Sequence, residues 1–125
     1  MRVIPPSELI INADGSVFHL HLKPGQLSDK IILVGDPERV SSVASRFDSI
    51  ECEVSNREFH SITGSFQGKR ISVVSHGIGT DNIDIVLNEL DALVNIDFTS
   101  RTVKEIFTQL TLVRIGTSGG LQHFV

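Results

Sequence analysis

The sequence has little of what marks a disulfide-rich, membrane-bound or nucleic-acid-binding protein. Its single cysteine, Cys52, excludes an internal disulfide and a cage of several thiolates around a metal. Lysine and arginine number 11 against 15 acidic residues, and the net charge of -4 argues against a nucleic acid or an anionic membrane as the main partner. No apolar run reaches membrane-spanning length, and Pro5 and Pro6 stand where a signal peptide needs an apolar helix. We therefore expect a cytoplasmic protein in which any anion site is local.

The residues that are present favour one folded domain. Hydrophobic residues make up 40% and charged residues 21% of the 125 positions, which is typical of a globular chain rather than a disordered one. Prolines and turn-like segments at 12–15 and 24–25 indicate an arm with little regular structure over residues 1–29. From residue 30 the apolar pattern changes, so we expect the sheet and the helices in residues 30–125.

A strand, a tight turn and a helix are predicted directly after this arm. The apolar run at 31–34 ends at Gly35 and predicts a strand buried on both faces, as in a parallel sheet. Asp36 in the N-cap position and Pro37 in the first turn predict a helix. Its apolar face would carry Val40, Val43 and Phe47.

The rest of the chain predicts further strands and helices. Strands at 58–66 and 69–75 would be joined by a hairpin turn. A second helix follows, because apolar residues recur at helical spacing between Ile83 and Val94. Residues 97–110 predict another helix, and residues 111–115 a final strand. The apolar residues of that helix are Val103, Ile106, Phe107 and Leu110. This order of elements indicates an α/β fold.

Three of the predicted strands end in loops that carry glycine, at 35–37, 75–79 and 116–120. In open α/β sheets ligands bind beyond the carboxyl ends of the strands, and glycine lets backbone N–H groups approach an anion closely. Arg39 and Arg114 flank two of these loops. Two guanidinium groups, with loop amides and the Thr117 hydroxyl, would suit a phosphate. The residues alone therefore predict an α/β domain with a phosphate site.

Each of these features also has an ordinary structural explanation. A Gly-Asp-Pro segment is often only a turn and a helix cap, and the glycines of the second loop lack the third glycine of a dinucleotide fingerprint. Arg39 could pair with Glu38 or Asp36, and Arg57 could pair with Glu58 on the surface. By default a histidine in such positions is structural and a lone cysteine is inert. The residues to which this applies are His19, His21, His60, His76 and Cys52.

Five segments, taken in order, resemble the nucleoside phosphorylase family, and most closely the N-terminal half of its uridine phosphorylase branch. They lie at 17–20, 34–40, 56–59, 75–79 and 114–120. The resemblance implies part of a three-layer α/β fold, with a mixed sheet and flanking helices, that is incomplete at the C-terminus. Residues 1–125 would form the N-terminal portion of a single domain, either a fragment or a truncated reading frame. The missing half would hold the groups that read the base and most of the ribose, and no catalytic residue is identified in 1–125.

The activity that the resemblance implies is reversible phosphorolysis of a nucleoside to the free base and ribose 1-phosphate. The enzyme would be a pentosyltransferase of nucleoside catabolism and pyrimidine salvage, with uridine as its nucleoside and phosphate as its co-substrate. We expect the 125-residue chain to be inactive alone. The alternatives are a catalytically dead phosphate-binding or assembly fragment and a purine nucleoside phosphorylase.

The resemblance also assigns roles to residues that match the family's motifs. Gly35 and Arg39 match its first phosphate loop, and Arg114 and Thr117 match its third, where the threonine lies between phosphate and ribose. Arg57 matches an arginine that reaches the phosphate of the neighbouring subunit. These assignments predict a phosphate site that two protomers share.

Two further assignments concern the neighbouring subunit. His19 matches a histidine that contacts the ribose of the neighbour, so a homodimer or a higher homo-oligomer is implied, together with the missing C-terminal half. Glu58 and Ile78 match positions that hold a monovalent cation, potassium, at the dimer interface of some uridine phosphorylases. Asn82 stands where those enzymes have serine. No other cofactor is implied.

Overall fold

The computed structural model describes residues 2–117, 121 and 123. The last glycines of the third loop, Gly119 and Gly120, lie outside the described residues. The elements are β1 (Lys30–Val34), α1 (Pro37–Ala44), β2 (Ser49–Asn56), β3 (Phe59–Phe66), β4 (Lys69–Ser75), α2 (Thr80–Asn95), β5 (Ile96–Asp97), β6 (Thr102–Val103) and β7 (Thr111–Ile115). Among them no helix is long and apolar enough to cross a membrane.

The main sheet is mixed and has five strands in the order β2-β3-β4-β1-β7. β1 pairs in parallel with both β4 and β7, whereas β2, β3 and β4 form an antiparallel meander. In register, Val34 at the end of β1 lies between Ser75 on β4 and Ile115 on β7. The carboxyl ends of these three strands therefore meet at one edge of the sheet, as the parallel-sheet prediction requires.

Apolar side chains from the two faces of β1 enter two different cores. Ile31 and Leu33 pack in a cluster with Leu90 of α2, and Val34 packs in a second cluster with Val40 of α1. Successive side chains of a strand point to opposite faces, so α1 and α2 cover opposite faces of the sheet. The three-layer α/β fold with a mixed sheet and flanking helices is thereby confirmed.

Residues 2–29 contain turns and one isolated bridge between Ile11 and Val17, but no helix and no strand of the sheet. The segment nevertheless supplies buried side chains to the core on the α2 side. They are Val17, Leu20, Leu22 and Leu27. The N-terminal segment is thus packed against the sheet despite its irregular backbone.

The prediction for residues 49–57 was incomplete, because it left β2 unassigned. The sequence carries a strand signal here, because Ile50, Cys52 and Val54 alternate with polar residues. All side chains of the strand are nevertheless exposed or half-buried, and its register against β3 shifts between Ile50 and Cys52, as at a β-bulge. The prediction therefore overlooked an alternation that was present in the sequence.

The helix predicted over residues 97–110 is wrong. The segment forms the two-residue strands β5 and β6 and then an irregular stretch. Asp97 Oδ1 accepts hydrogen bonds from the backbone N–H groups of Thr99 and Ser100, and Asn95 Oδ1 accepts one from Thr108 N at 2.7 Å. These side chains satisfy backbone groups that a helix would have used. Most of the supposed apolar face is open to solvent, with Ile106 84% exposed, whereas Leu110 is half-buried against the core.

Candidate anion-binding site at the carboxyl ends of three strands

The loops after β1 and β4 lie side by side beyond the edge of the sheet. The backbone N–H of His76 donates to Val34 O at 2.9 Å, and the N–H of Gly77 donates to Gly35 O at 2.9 Å. These bonds extend the parallel pairing of β1 and β4 into the loops. The loops and the end of β7 enclose two clefts, of about 240 Å³ and about 650 Å³.

The smaller cleft brings together four residues that the sequence assigns to a phosphate site. Gly35, Arg39, Arg114 and Thr117 all line it, together with Asp36, Ile115 and Gly116. Arg39 comes from the first turn of α1, which begins at Pro37 because the side chain of Asp36 accepts a hydrogen bond from Glu38 N at 2.9 Å. The cap therefore fixes where α1 starts and brings Arg39 to the cleft.

Among the described residues, 2–117, 121 and 123, the arginines of the predicted site form no ion pair: these are Arg39, Arg57 and Arg114. The ion pairs in that part of the chain are Arg2–Glu8, His19–Glu89, Lys30–Asp29, His60–Glu53 and Arg70–Glu51. The suggested surface pairs of Arg39 with Glu38 or Asp36, and of Arg57 with Glu58, are absent from this set. A guanidinium without a carboxylate partner can offer its remaining N–H donors to an anion.

Arg114 makes a hydrogen bond that the sequence did not predict. Its Nε donates to Nε2 of His76 at 3.1 Å. The guanidinium also lies close to Gly116, because a Cβ atom added to that glycine would come within 2.5 Å of Arg114 Nη1. The bond to His76 holds the guanidinium of Arg114 at the third loop, and the lack of a side chain at Gly116 leaves room for it there. The sequence feature that could have marked His76 as a site residue is its position in a glycine-bearing loop at the end of a predicted strand.

Burial shapes the chemistry of His76, whose residue surface is only 3% exposed. Burial lowers the pKa of His76, and this is the largest effect. A hydrogen-bonding interaction with the backbone of Gly77 raises the pKa, and the positive charge of Arg114 lowers it. The net direction is down from 6.5, so the imidazole stays neutral at neutral pH and can accept a hydrogen bond.

The larger cleft contains the residues that the resemblance assigns to a monovalent cation. Glu58, Ile78 and Asn82 line it, and the Ile78 side chain is fully open to solvent. Gly77 has a φ of 71°, and a Cβ there would lie 2.6 Å from Glu58 Cγ, so glycine allows this close approach. In the part of the chain that the structure describes, no three His, Cys, Asp or Glu side chains are grouped as metal ligands.

His19 and Arg57 do not join these clefts within one protomer. His19 lines a separate cavity of about 380 Å³, where its Nδ1 lies 2.7 Å from Oε2 of Glu89. Asn56 Nδ2 donates to His19 O at 2.8 Å, which ties the N-terminal segment to the end of β2. Arg57 follows in an exposed turn with a φ of 54°. Both side chains therefore lie apart from Arg39 and Arg114.

Comparison with known proteins gives both a family and a fold. Residues 29–124 match the family model described as the phosphorylase superfamily. Over 106 residues the chain is 37% identical to a DeoD-type purine nucleoside phosphorylase from Alkaliphilus metalliredigens. That alignment covers 84% of this chain and 40% of the relative. Over 109 residues it is 33% identical to a uridine phosphorylase from Thermococcus kodakarensis, and this alignment covers 87% of this chain and 34% of the relative.

A solved structure agrees with these relatives. The crystal structure of a Trypanosoma brucei nucleoside phosphorylase, described as showing uridine phosphorylase activity, superposes with a TM-score of 0.81 at 35% identity. The match covers 89% of this chain and 39% of that one. The chain thus spans less than half the length of the relatives that it matches.

Proposed function

The chain belongs to the phosphorylase superfamily, and we propose on that basis that it binds inorganic phosphate for the phosphorolysis of a nucleoside. The observation that supports this most directly is the cleft of about 240 Å³ that Arg39, Arg114, Gly35 and Thr117 line together. Neither arginine has an acidic partner among the described residues. Asp36 also lines the cleft, but the two guanidinium groups outnumber its carboxylate and can bind a tetrahedral dianion.

In the proposed reaction, a phosphate oxygen attacks C1′ of the nucleoside while the glycosidic bond breaks. The electron pair of that bond leaves with the base, the proton of monohydrogen phosphate is transferred to that base, and ribose 1-phosphate forms as a dianion. Positive charge develops on the ribose in an oxocarbenium-like transition state, so a phosphate held beside C1′ is both the nucleophile and an electrostatic stabiliser. Arg39 and Arg114 would orient the phosphate, and the Thr117 hydroxyl would lie between the phosphate and the ribose.

We propose uridine as the nucleoside, because the segments 17–20 and 57–59 resemble the uridine phosphorylase branch. A purine nucleoside is the second candidate, supported by the 37% identity to a purine nucleoside phosphorylase. Phosphorolysis of either nucleoside uses the same phosphate chemistry, so the two candidates differ in the residues that would bind the base.

We further propose that two copies of the chain share the site. Arg57 and His19 lie outside the clefts of their own protomer, and Arg57 is exposed in a turn. Their proposed roles are to contact the phosphate and the ribose of the neighbour. Potassium is the proposed ion for the cleft that Glu58 and Ile78 line. These proposals rest on the resemblance and on the placement of the side chains.

The test of phosphorolysis measures release of free base. The chain, alone and combined with the C-terminal half that the resemblance implies, is incubated with uridine or inosine, with and without phosphate, and uracil or hypoxanthine is quantified by chromatography. The Arg114→Gln variant is run beside Arg46→Gln, which changes an exposed arginine of the same protein outside both clefts. We expect no base release from the chain alone, and base release by the combined halves that needs phosphate and Arg114 supports the proposal. Phosphate binding without base release by the combined halves supports the phosphate-binding or assembly module instead.

A further inference from the structure

We propose that His76 is a positioning residue of the phosphate site, which orients the guanidinium of Arg114 by accepting a hydrogen bond from its Nε. This inference rests on the proposed phosphate-binding function. It adds a residue that the motifs of the sequence do not assign.

Arg114 and His76 differ in conformational freedom. The long side chain of Arg114 has many rotamers available to it. His76 is buried, and its backbone N–H is fixed to Val34 O at 2.9 Å. A rigid acceptor therefore holds one end of a mobile donor. The bond uses Nε of Arg114 and leaves both Nη groups for an anion in the cleft.

The imidazole of His76 makes one well-formed side-chain hydrogen bond, and it is to an arginine of the proposed site. Since Nε2 accepts from Arg114, the proton of the neutral ring must lie on Nδ1. Nδ1 is buried and makes no well-formed hydrogen bond among the described residues, although a hydrogen-bonding interaction with the backbone of Gly77 raises the pKa of the ring.

The charged groups near His76 do not bind its ring. Three charged side chains line the cleft beside His76: Asp36 from the loop after β1, Glu58 from the turn before β3, and Arg114 from β7. Neither carboxylate forms an ion pair with the ring in the described part of the chain. The bond from Arg114 Nε to His76 Nε2 is therefore the contact between the ring and a charged group there.

The experiment compares His76→Gln, His76→Asn and the wild-type chain by phosphate titration calorimetry. The Oε1 atom of Gln can replace the Nε2 acceptor, whereas the shorter Asn side chain does not reach Arg114 Nε. We expect Gln to keep the phosphate Kd within a factor of about two and Asn to raise it about tenfold, since a hydrogen bond to a charged group is at stake. His21→Gln, an exposed histidine outside both clefts, is the control.

A second measurement determines which nitrogen of the His76 ring carries the proton, and it does not depend on phosphate. In the 15N spectrum of the free wild-type chain, we expect His76 to show a protonated Nδ1 and an unprotonated Nε2. A proton on Nε2 would overturn the inference, and so would equal phosphate affinity of the Asn and Gln variants. Failure of the wild-type chain to bind phosphate while the ring shows the expected tautomer would instead count against the proposed function.

Discussion

The carboxylate of Glu89 on α2 binds the ring of His19, with 2.7 Å between Oε2 and Nδ1, across 70 positions of the chain. The same carboxylate accepts hydrogen bonds from the backbone N–H groups of His19 and Leu20. One buried side chain therefore fixes both the backbone and the ring of the residue that we propose contacts a neighbouring site. With Nδ1 bound to Glu89, Nε2 is the ring nitrogen available to another partner.

The Glu89→Gln substitution tests this relationship. A glutamine retains one acceptor but directs an amide N–H at the donors that the carboxylate now satisfies. We expect a loss of about 2 kcal/mol in the free energy of unfolding, measured by urea denaturation, because buried hydrogen bonds to a charged group are lost. Asp84→Asn, an exposed change on the same helix, is the control. Equal stability of the two variants would show that Glu89 does not anchor the N-terminal segment.

A second prediction concerns pH and stability. The pKa of His76 is lowered in the folded chain, so below its ordinary value of 6.5 the unfolded chain binds a proton that the folded chain does not. The stability that His76 contributes is therefore present above 6.5 and is lost as the pH falls towards the folded pKa. Urea denaturation at about pH 7 and about pH 5 should show a smaller decrease for His76→Gln than for the wild-type chain. An identical decrease in both would refute the prediction.

The glycine of the third loop gives a third prediction. In Gly116→Ala the new Cβ would lie within 2.5 Å of Arg114 Nη1, so the guanidinium must move. We expect the phosphate Kd to rise by roughly three- to tenfold with little change in stability, since an exposed side chain on an edge strand can shift without disturbing the core. The double variant with Arg114→Gln is the control. Additive effects of the two changes would mean that Gly116 acts independently of Arg114.

Sharing of the site between protomers is tested by mixing two variants. Arg57→Gln and Arg114→Gln chains are each expected to bind phosphate weakly as homo-oligomers. In a mixed dimer, one site combines the intact Arg57 of one chain with the intact Arg114 of the other, so mixing should restore tight binding to a fraction of the sites. Calorimetric stoichiometry measures that fraction. If mixing restores no site, Arg57 does not act on the neighbour.

The parts of the fold that the sequence predicts are those with strong local signals. The apolar run before Gly35, the Asp36 cap and the helical spacing from Ile83 each depend on neighbouring residues, and β1, α1 and α2 formed where they were expected. Only the end of α1 differs, because the helix stops at Ala44, before Phe47. The error at 97–110 has a non-local cause, because Asn95 bonds Thr108 through its side chain. Helical spacing of apolar residues does not reveal such a bond.

The same distinction applies to the candidate site. That Arg39 and Arg114 meet at one sheet edge follows from the rule that parallel strands bring their carboxyl ends together. The His76–Arg114 bond could not be predicted, because it depends on β4 and β7 both pairing with β1 in a particular register. The His19–Glu89 pair depends on how the irregular N-terminal segment packs against α2.

Phosphate titration of the 125-residue chain tests the central claim most directly. We predict saturable binding with a Kd in roughly the millimolar range or tighter, weakened about tenfold or more by Arg114→Gln and unchanged by Arg46→Gln. Absence of binding at roughly millimolar phosphate, or equal affinity of the wild-type and Arg114→Gln chains, would contradict the assignment of the cleft as a phosphate site.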